Sequence, residues 1–253
     1  MSADLELGHL LGEGVFETVL VWQGRPVLLA AHLARLAASL GELYGWSPDL
    51  AALEREACRQ AAALGGSGRL RVVAVRPAGG EWSTLVETGP LPARAAAVRL
   101  VTVPASFAPP AALARHKVLN RMPYLAARAY ALQQGGTEAL LTDQEGLVTE
   151  ASTANVFAVL GGRLVTPRRT GPLLPGVTQT AAMGLAAELG WTVHEEPLTA
   201  RALADAAEVF LTSALAGITP VAVLDGHPLE APGPVTRALA GAYAERYLGG
   251  SPL

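Results

Sequence analysis

The chain has 253 residues, of which 51% are hydrophobic and 16% charged, and its formal net charge is −3. That is enough apolar material for one substantial core or two modest ones, and the acidic balance gives no sign of a nucleic-acid binder. The apolar runs Val15–Leu20 and Pro26–Ala31 are far short of the ~20 residues a membrane span needs, and no basic segment leads into a long apolar one. The single cysteine, Cys58, can form neither an internal disulfide nor a multi-cysteine metal site, and is expected as a buried thiol on a helix. A cytoplasmic protein is expected, with no nucleic-acid partner, no membrane contact and no metal.

In chain order, Gly14–Trp22 is rich in β-branched and aromatic residues and reads as a strand. Gln23-Gly24 turns it into a short return strand, Pro26–Leu29. Leu33, Leu36, Leu40 and Leu43 then recur at helical spacing within Ala30–Leu43. A second helix runs from Pro48-Asp49 to Leu64 and stops at Gly65-Gly66-Ser67-Gly68. Strands are expected at Arg69–Arg76, Trp82–Glu87 and Ala95–Val103. These elements form a first domain over residues 1–104, followed by a Pro/Ala linker at 105–110 and a second domain over 111–253.

The second domain opens on Lys117-Val118-Leu119-Asn120-Arg121, then a helix with Pro123 in its first turn that stops at Gly135-Gly136. Strands follow at Glu138–Thr142, Leu147–Glu150, Asn155–Leu160 and Arg163–Thr166. A helix at Gly176–Leu189, strands at Glu208–Thr212 and Val221–Leu224, and a last helix at Val235–Leu248 complete an α+β chain. Asp225 and His227 flank Gly226 in what reads as a hairpin turn.

Eighteen of the 19 basic side chains are arginine, and Lys117 is the only lysine. A guanidinium stays protonated and cannot form a Schiff base, so covalent amine chemistry by a side chain must use Lys117. A phosphate-carrying cofactor needs an amine, a carboxylate near its ring nitrogen, donors for its phosphate and contacts that hold the ring plane. Lys117 supplies the amine. Glu150, just before Ala151-Ser152-Thr153-Ala154-Asn155, is the candidate carboxylate. Gly176-Val177-Thr178-Gln179 opens a helix whose free N–H groups and dipole suit an anion. Thr212-Ser213-Ala214 is a second small polar loop, and Arg35 is a third phosphate candidate. Judged one at a time, Lys117 also reads as a leftover of coding bias and Glu150 as a solvated edge residue. The two loops likewise read as ordinary capping and Arg35 as a surface arginine. No HExxH pair, nucleotide-binding glycine loop or G-x-S-x-G elbow is present.

Taken in order, these segments resemble the fold-type IV, or class IV aminotransferase, family of pyridoxal-phosphate enzymes. The resemblance runs from Gly12-Glu13-Gly14-Val15-Phe16-Glu17-Thr18 and His32-Leu33-Ala34-Arg35-Leu36, through Lys117–Arg121, to Gly146–Phe157. It continues through Leu174-Pro175-Gly176-Val177-Thr178, Phe210–Ala214 and Thr219-Pro220-Val221. It implies a two-domain fold like that of D-amino-acid aminotransferases, with pyridoxal 5'-phosphate in the interdomain cleft. It makes Lys117 the Schiff-base lysine and Glu150 the partner of the pyridine nitrogen. It places the phosphate on Arg35, Val177, Thr178, Ser213 and Ala214, and gives Asn155 a part in shaping the site.

It also implies a homodimer acting on a small amino substrate. Lys117-Val118-Leu119-Asn120-Arg121 and the Ala214-Leu215 segment look closest to the family's 4-amino-4-deoxychorismate lyases, which release pyruvate and 4-aminobenzoate for folate biosynthesis. The alternatives are an aminotransferase acting on branched-chain or D-amino acids and a non-catalytic cofactor-binding protein. Two features depart from the family pattern. The first strand is short or absent before Gly12, and Gln179 stands where the aminotransferases often carry arginine.

Overall fold

A computed structural model describes residues 13–76, 80–93 and 95–250. The expectation of a shortened first strand falls on residues 1–12, outside the described residues. The chain is α+β and divides into two compact units. Of the described residues, one holds those up to Ala93 together with His116–Arg121, and the other holds those from Ala95 to Arg115 and from Met122 onward.

The first unit comprises β1 (Gly14–Trp22), β2 (Arg25–Pro26), α1 (Leu29–Tyr44), α2 (Leu50–Leu64), β3 (Gly68–Val75) and β4 (Ser83–Gly89). Its antiparallel sheet has the order β2-β1-β3-β4. Strand period two sends Val15, Val19 and Val21 of β1, with Leu70, Val72 and Ala74 of β3, to one face. There they meet Leu33, Leu36 and Leu40 of α1 and Leu53, Ala57 and Ala61 of α2. The other face carries Phe16, Val73, Val75 and Leu85.

The return strand is shorter than the sequence suggests. Val27 N–H still bonds Leu20 C=O, but Leu28 turns left-handed at φ 56° and α1 starts at Leu29. Cys58 is exposed, which corrects its expected burial. The inward stripe of α2 is Leu53-Ala57-Ala61, four residues apart, and Cys58 sits one position around the helix from it.

His116–Arg121 belongs to this unit although its neighbours in sequence do not. Phe16 N–H donates to Lys117 C=O at 2.9 Å, and Leu119 N–H donates to Gly14 C=O at 2.9 Å. The segment thus covers the edge of β1 that β2, paired only at Val21 and Trp22, leaves open. Gly14 makes the approach possible, because a Cβ there would collide with Ala74 O and press on the Leu119 side chain.

The second unit runs β5 (Val98–Thr102), a 3-10 turn at Ala105–Phe107, α3 (Ala111–Ala114), α4 (Met122–Gln133), β6 (Glu138–Thr142), β7 (Val148–Ala151), β8 (Asn155–Leu160) and β9 (Arg163–Thr166). It continues with α5 (Val177–Glu188), β10 (Val193–Glu195), α6 (Ala200–Ala204), β11 (Glu208–Ser213), β12 (Gly217–Leu224), β13 (His227–Pro228) and α7 (Pro234–Tyr247). The sheet order is β10-β9-β8-β11-β12-β5-β6-β7, with β13 on β12. The β9–β10, β5–β12 and β5–β6 pairs are parallel. Side chains from strands far apart on this path, Val148 and Ala151 of β7 at one end and Val156 and Ala158 of β8, share one core with Leu211 and Val221. Tyr124, Ala127 and Ala131 of α4 pack a second cluster with Ala139 and Leu141 of β6.

β12 begins at Gly217, four residues before the expected strand. Pro220 lacks an N–H and argues against a strand from sequence. It is accommodated because pairing with β5 begins only at Val221, so no donor is needed on that side. Asp225 and Gly226 form the expected hairpin turn, both at positive φ. Among the described residues, no helix is long and apolar enough to cross a membrane.

Candidate active site

In the first unit Lys117 is half-buried and fixed by its own main chain to β1. Its Nζ lies 4.7 Å from the centroid of the Phe16 ring. The next residue of β1, Glu17, points to the opposite face and is 1% exposed. Arg35 holds it with two bonds, Nε to Oε1 at 2.8 Å and Nη2 to Oε2 at 2.7 Å. His32 Nδ1 lies 2.7 Å from Oε2. Burial alone would raise the Glu17 pKa, but the Arg35 charge and the bonds from His32 and Arg35 prevail and hold it at about 2. Arg35 and Lys117 are therefore attached to opposite faces of β1. One residue before Lys117, buried His116 meets Ser39 Oγ of α1 at 3.1 Å, which ties the lysine segment to that helix as well.

In the second unit Glu150 closes β7 and is 5% exposed, so it is not a solvated edge residue. Tyr124 OH of α4 donates to its Oε1 at 3.1 Å, and Leu174 N–H donates to its Oε2 at 3.3 Å. Asn155 Nδ2 in turn donates to Leu174 C=O at 2.8 Å. The Asn155 amide also lies so close to Gly176 that any Cβ there would collide with it. Gln179 reaches back from α5 to accept from Gly176 N–H at 3.3 Å and donates to Thr166 Oγ1 at 3.2 Å. The carboxylate, the loop before α5 and the start of that helix thus form one bonded framework.

That framework ends on two hydroxyls with nothing to bond. Thr178 Oγ1 in the first turn of α5 and Thr212 Oγ1 near the end of β11 are both buried and have no hydrogen-bond partner among the described residues. Thr212 stands opposite Asn155 in the β8–β11 register, and Asn155 abuts Gly176, so the two threonines converge on one corner. The first-turn N–H groups of Val177 and Thr178 have no acceptor within the helix. Ser213 ends β11, and Ala214 opens the turn to β12. A buried hydroxyl without a partner is costly, and one in a helix's first turn, with a second from the end of a strand beside it, suits a phosphate.

Sequence reasoning named Lys117, Glu150, Val177, Thr178, Ser213, Ala214 and Arg35. It missed the residues that hold them: Tyr124, Leu174, His116, and Glu17 as the partner of Arg35. In the second loop it put weight on Ser213 and Ala214, whereas the orphaned hydroxyl belongs to Thr212. Only Glu17 carried a readable signal, as a charged residue breaking the apolar alternation of β1.

The family profile for class IV amino-transferases matches residues 14–224. The chain belongs to the class IV aminotransferase family. As a member of that family, it is 31% identical over 248 residues to a putative branched-chain-amino-acid aminotransferase of Methanocaldococcus jannaschii, covering 88% of this chain and 82% of that protein. It is 29% identical over 248 residues to a bifunctional aminodeoxychorismate lyase and D-amino acid transaminase of Mycobacterium tuberculosis, covering 88% and 86%. With a probable branched-chain aminotransferase of Synechocystis sp. it shares 36% identity over 113 residues, only 45% of this chain and 37% of that protein. A hypothetical aminotransferase from Mycobacterium tuberculosis, solved in a PLP-bound form, superposes with a TM-score of 0.87 at 28% identity, covering 98% of this chain and 93% of that one.

Proposed function

We propose that this class IV family member is a pyridoxal-phosphate-dependent aminotransferase that exchanges an amino group between an amino acid and a 2-oxo acid. The observation that carries the reading is the placement of the chain's only lysine, fixed to β1 through its own main chain and aimed past Phe16. The names of the relatives support transamination more broadly than the lyase reaction that the Lys117–Arg121 segment suggests. Branched-chain and D-amino acids are the substrate classes those names offer.

On this reading each unit offers residues to the cofactor. Thr178 and Thr212 would give their orphaned hydroxyls to the phosphate, and Val177 and Thr178 would give first-turn N–H groups. Ser213 and Ala214 border the same corner. Family resemblance supports a phosphate role for Arg35, whose guanidinium is oriented by Glu17. When bound, the cofactor supplies a protonated pyridine ring that accepts electrons from the substrate's amine-bearing carbon.

Glu150 would hold the proton on the ring nitrogen, and Tyr124 and Leu174 fix the direction of its carboxylate. Lys117 Nζ would remove the proton from the substrate's amine-bearing carbon as general base. It would then hold that proton for return on the far side of the substrate nitrogen; water would release the oxo acid, and the reverse sequence with the acceptor 2-oxo acid would complete the exchange.

The second reading is aminodeoxychorismate lyase, in which Lys117 returns the proton to a leaving oxygen instead. The Lys117-Val118-Leu119-Asn120-Arg121 segment and the bifunctional Mycobacterium tuberculosis relative favour it. By family resemblance the working unit is a homodimer, which sedimentation at micromolar concentration checks.

One assay separates the reactions. Protein loaded with cofactor receives aminodeoxychorismate and, separately, branched-chain and D-amino acids with 2-oxoglutarate. Oxo-acid exchange is expected, and 4-aminobenzoate release without exchange would replace transamination by the lyase reaction. Borohydride trapping followed by mass mapping should place the cofactor on Lys117, and a Lys117→Ala protein should trap none there.

A further inference from the structure

Apart from Tyr44, the polar side chains of α1 are His32, Arg35, Ser39 and Glu42. They recur at three- and four-residue intervals, which sets them in a line along one side of the helix. The first two, His32 and Arg35, close on Glu17 of β1. The last two meet His116. Its Nδ1 lies 3.1 Å from Ser39 Oγ, and its Nε2 lies 3.7 Å from Glu42 Oε2. His116 and Ser39 are both buried, whereas the Glu42 side chain is 69% exposed.

The lysine segment alternates as a strand does where Val118 bridges to Val15 of β1. Val118 joins the core with Leu33, Leu36 and Leu40 of α1, and His116, two residues earlier, reaches the same helix. Lys117 and Leu119 go to the other face, beside Phe16. The main-chain bonds at Lys117 C=O and Leu119 N–H hold the lysine from its C-terminal side. His116 holds it from the N-terminal side.

Resting on the reading of Lys117 as the amine that takes the cofactor, we propose that His116 is a positioning residue that sets the direction of the Lys117 side chain through its bond to Ser39. A lysine amine sits at the end of a flexible four-carbon stem, so a small rotation of the main chain is amplified there. An error of about 1 Å at a reacting atom can cost about a hundredfold in rate. Of the two partners on α1, Ser39 carries the effect. It is buried and within hydrogen-bond distance, whereas Glu42 lies beyond that distance and its charge is screened by water.

The test separates holding the cofactor from reaching it with the lysine. The full chain, freed of cofactor, is mixed with pyridoxal 5'-phosphate, and attachment to Lys117 is timed by borohydride quenching and mass mapping. The same proteins are titrated with pyridoxine 5'-phosphate, which has the ring and the phosphate but no aldehyde for an amine to attack. His116→Leu should slow attachment about tenfold, the scale of one buried hydrogen bond lost, and hold the affinity for pyridoxine phosphate within about twofold. His116→Asn, whose amide takes the place of Nδ1, should recover most of the rate. Ser39→Ala should reproduce the slowing, and adding it to His116→Leu should slow attachment no further. The serine variant keeps the proposal testable if His116→Leu folds poorly. Glu42→Gln should leave both readings within about twofold, and a tenfold slowing there would overturn the Ser39 bond as the carrier. Equal losses of rate and affinity in His116→Leu and Ser39→Ala would mean a general loosening of the unit and would also overturn the proposal. Normal attachment in wild type with unchanged rates in both variants sinks the His116 role alone, whereas wild-type attachment anywhere but Lys117 sinks the lysine assignment.

Discussion

Thr212 and Thr178 stabilise nothing visible in the protein itself, since their hydroxyls are buried without partners. Such a group costs roughly 1–3 kcal/mol against a partnered one, while replacing it by an apolar group of the same shape is close to neutral. Thr212→Val should therefore leave the cofactor-free protein as stable as wild type, or slightly more so. The same change should weaken the cofactor-bound form, because a hydrogen bond to a charged phosphate is worth about 1.5–3 kcal/mol. Thermal unfolding with and without pyridoxal 5'-phosphate checks this. The cofactor-induced rise in melting temperature should shrink in the variant, and an undiminished rise would remove Thr212 from the phosphate site. At this scale the sequence was partly legible. Lys117 stood out because no second lysine competes for its role, and Glu150 because it precedes a run of small polar residues. Tyr124 and Leu174 did not, because each meets Glu150 from 24 or more residues away, and nothing local marks those contacts.

Elements were easier to read than the contacts between them. β1, β3, β6, β8 and β9 follow from β-branched runs, and α1, α2 and α5 from apolar spacing ended by glycine or preceded by proline. β10 and α6 are three and five residues long, too short for a period to show. What alternation cannot show is why a glutamate sits inside β1. Glu17 pins α1 to the sheet through Arg35 and His32. Its pKa of about 2 lies below the ordinary carboxylate value of 4.5, so its stabilisation is complete above about pH 4.5. It is lost as pH falls through about 2. A displacement of that size corresponds to about 3 kcal/mol. Glu17→Gln should cost on the order of 3–5 kcal/mol at pH 7, because the Arg35 charge is left mostly buried without its carboxylate. The gap between variant and wild type should narrow between pH 4.5 and 2 in denaturant titrations. A gap constant over that range would show that the glutamate's charge is not what holds α1.

On the scale of the whole chain, the two compact units are not two stretches of sequence. Residues 116–121 belong with β1, while the chain on either side of them belongs to the other unit. A reading from sequence favours contiguous domains, because a Pro/Ala-rich stretch such as 105–110 looks like a boundary and a six-residue excursion has no compositional mark. The physical link is main-chain pairing, in which Leu119 N–H bonds Gly14 C=O and Phe16 N–H bonds Lys117 C=O. Leu119→Pro removes the first of these donors and the Leu119 side chain that packs with Phe16, Val73 and Val75. The lost bond costs about 1–3 kcal/mol, with side-chain packing lost in addition. Hydrogen exchange should show faster exchange in β1 and β3, with β8, β11 and β12 protected as in wild type. Trapping of the cofactor on Lys117 should fall as well, because the lysine takes its position from the same pairing. Protection lost evenly across both units would mean that residues 116–121 support the whole chain rather than the sheet they join.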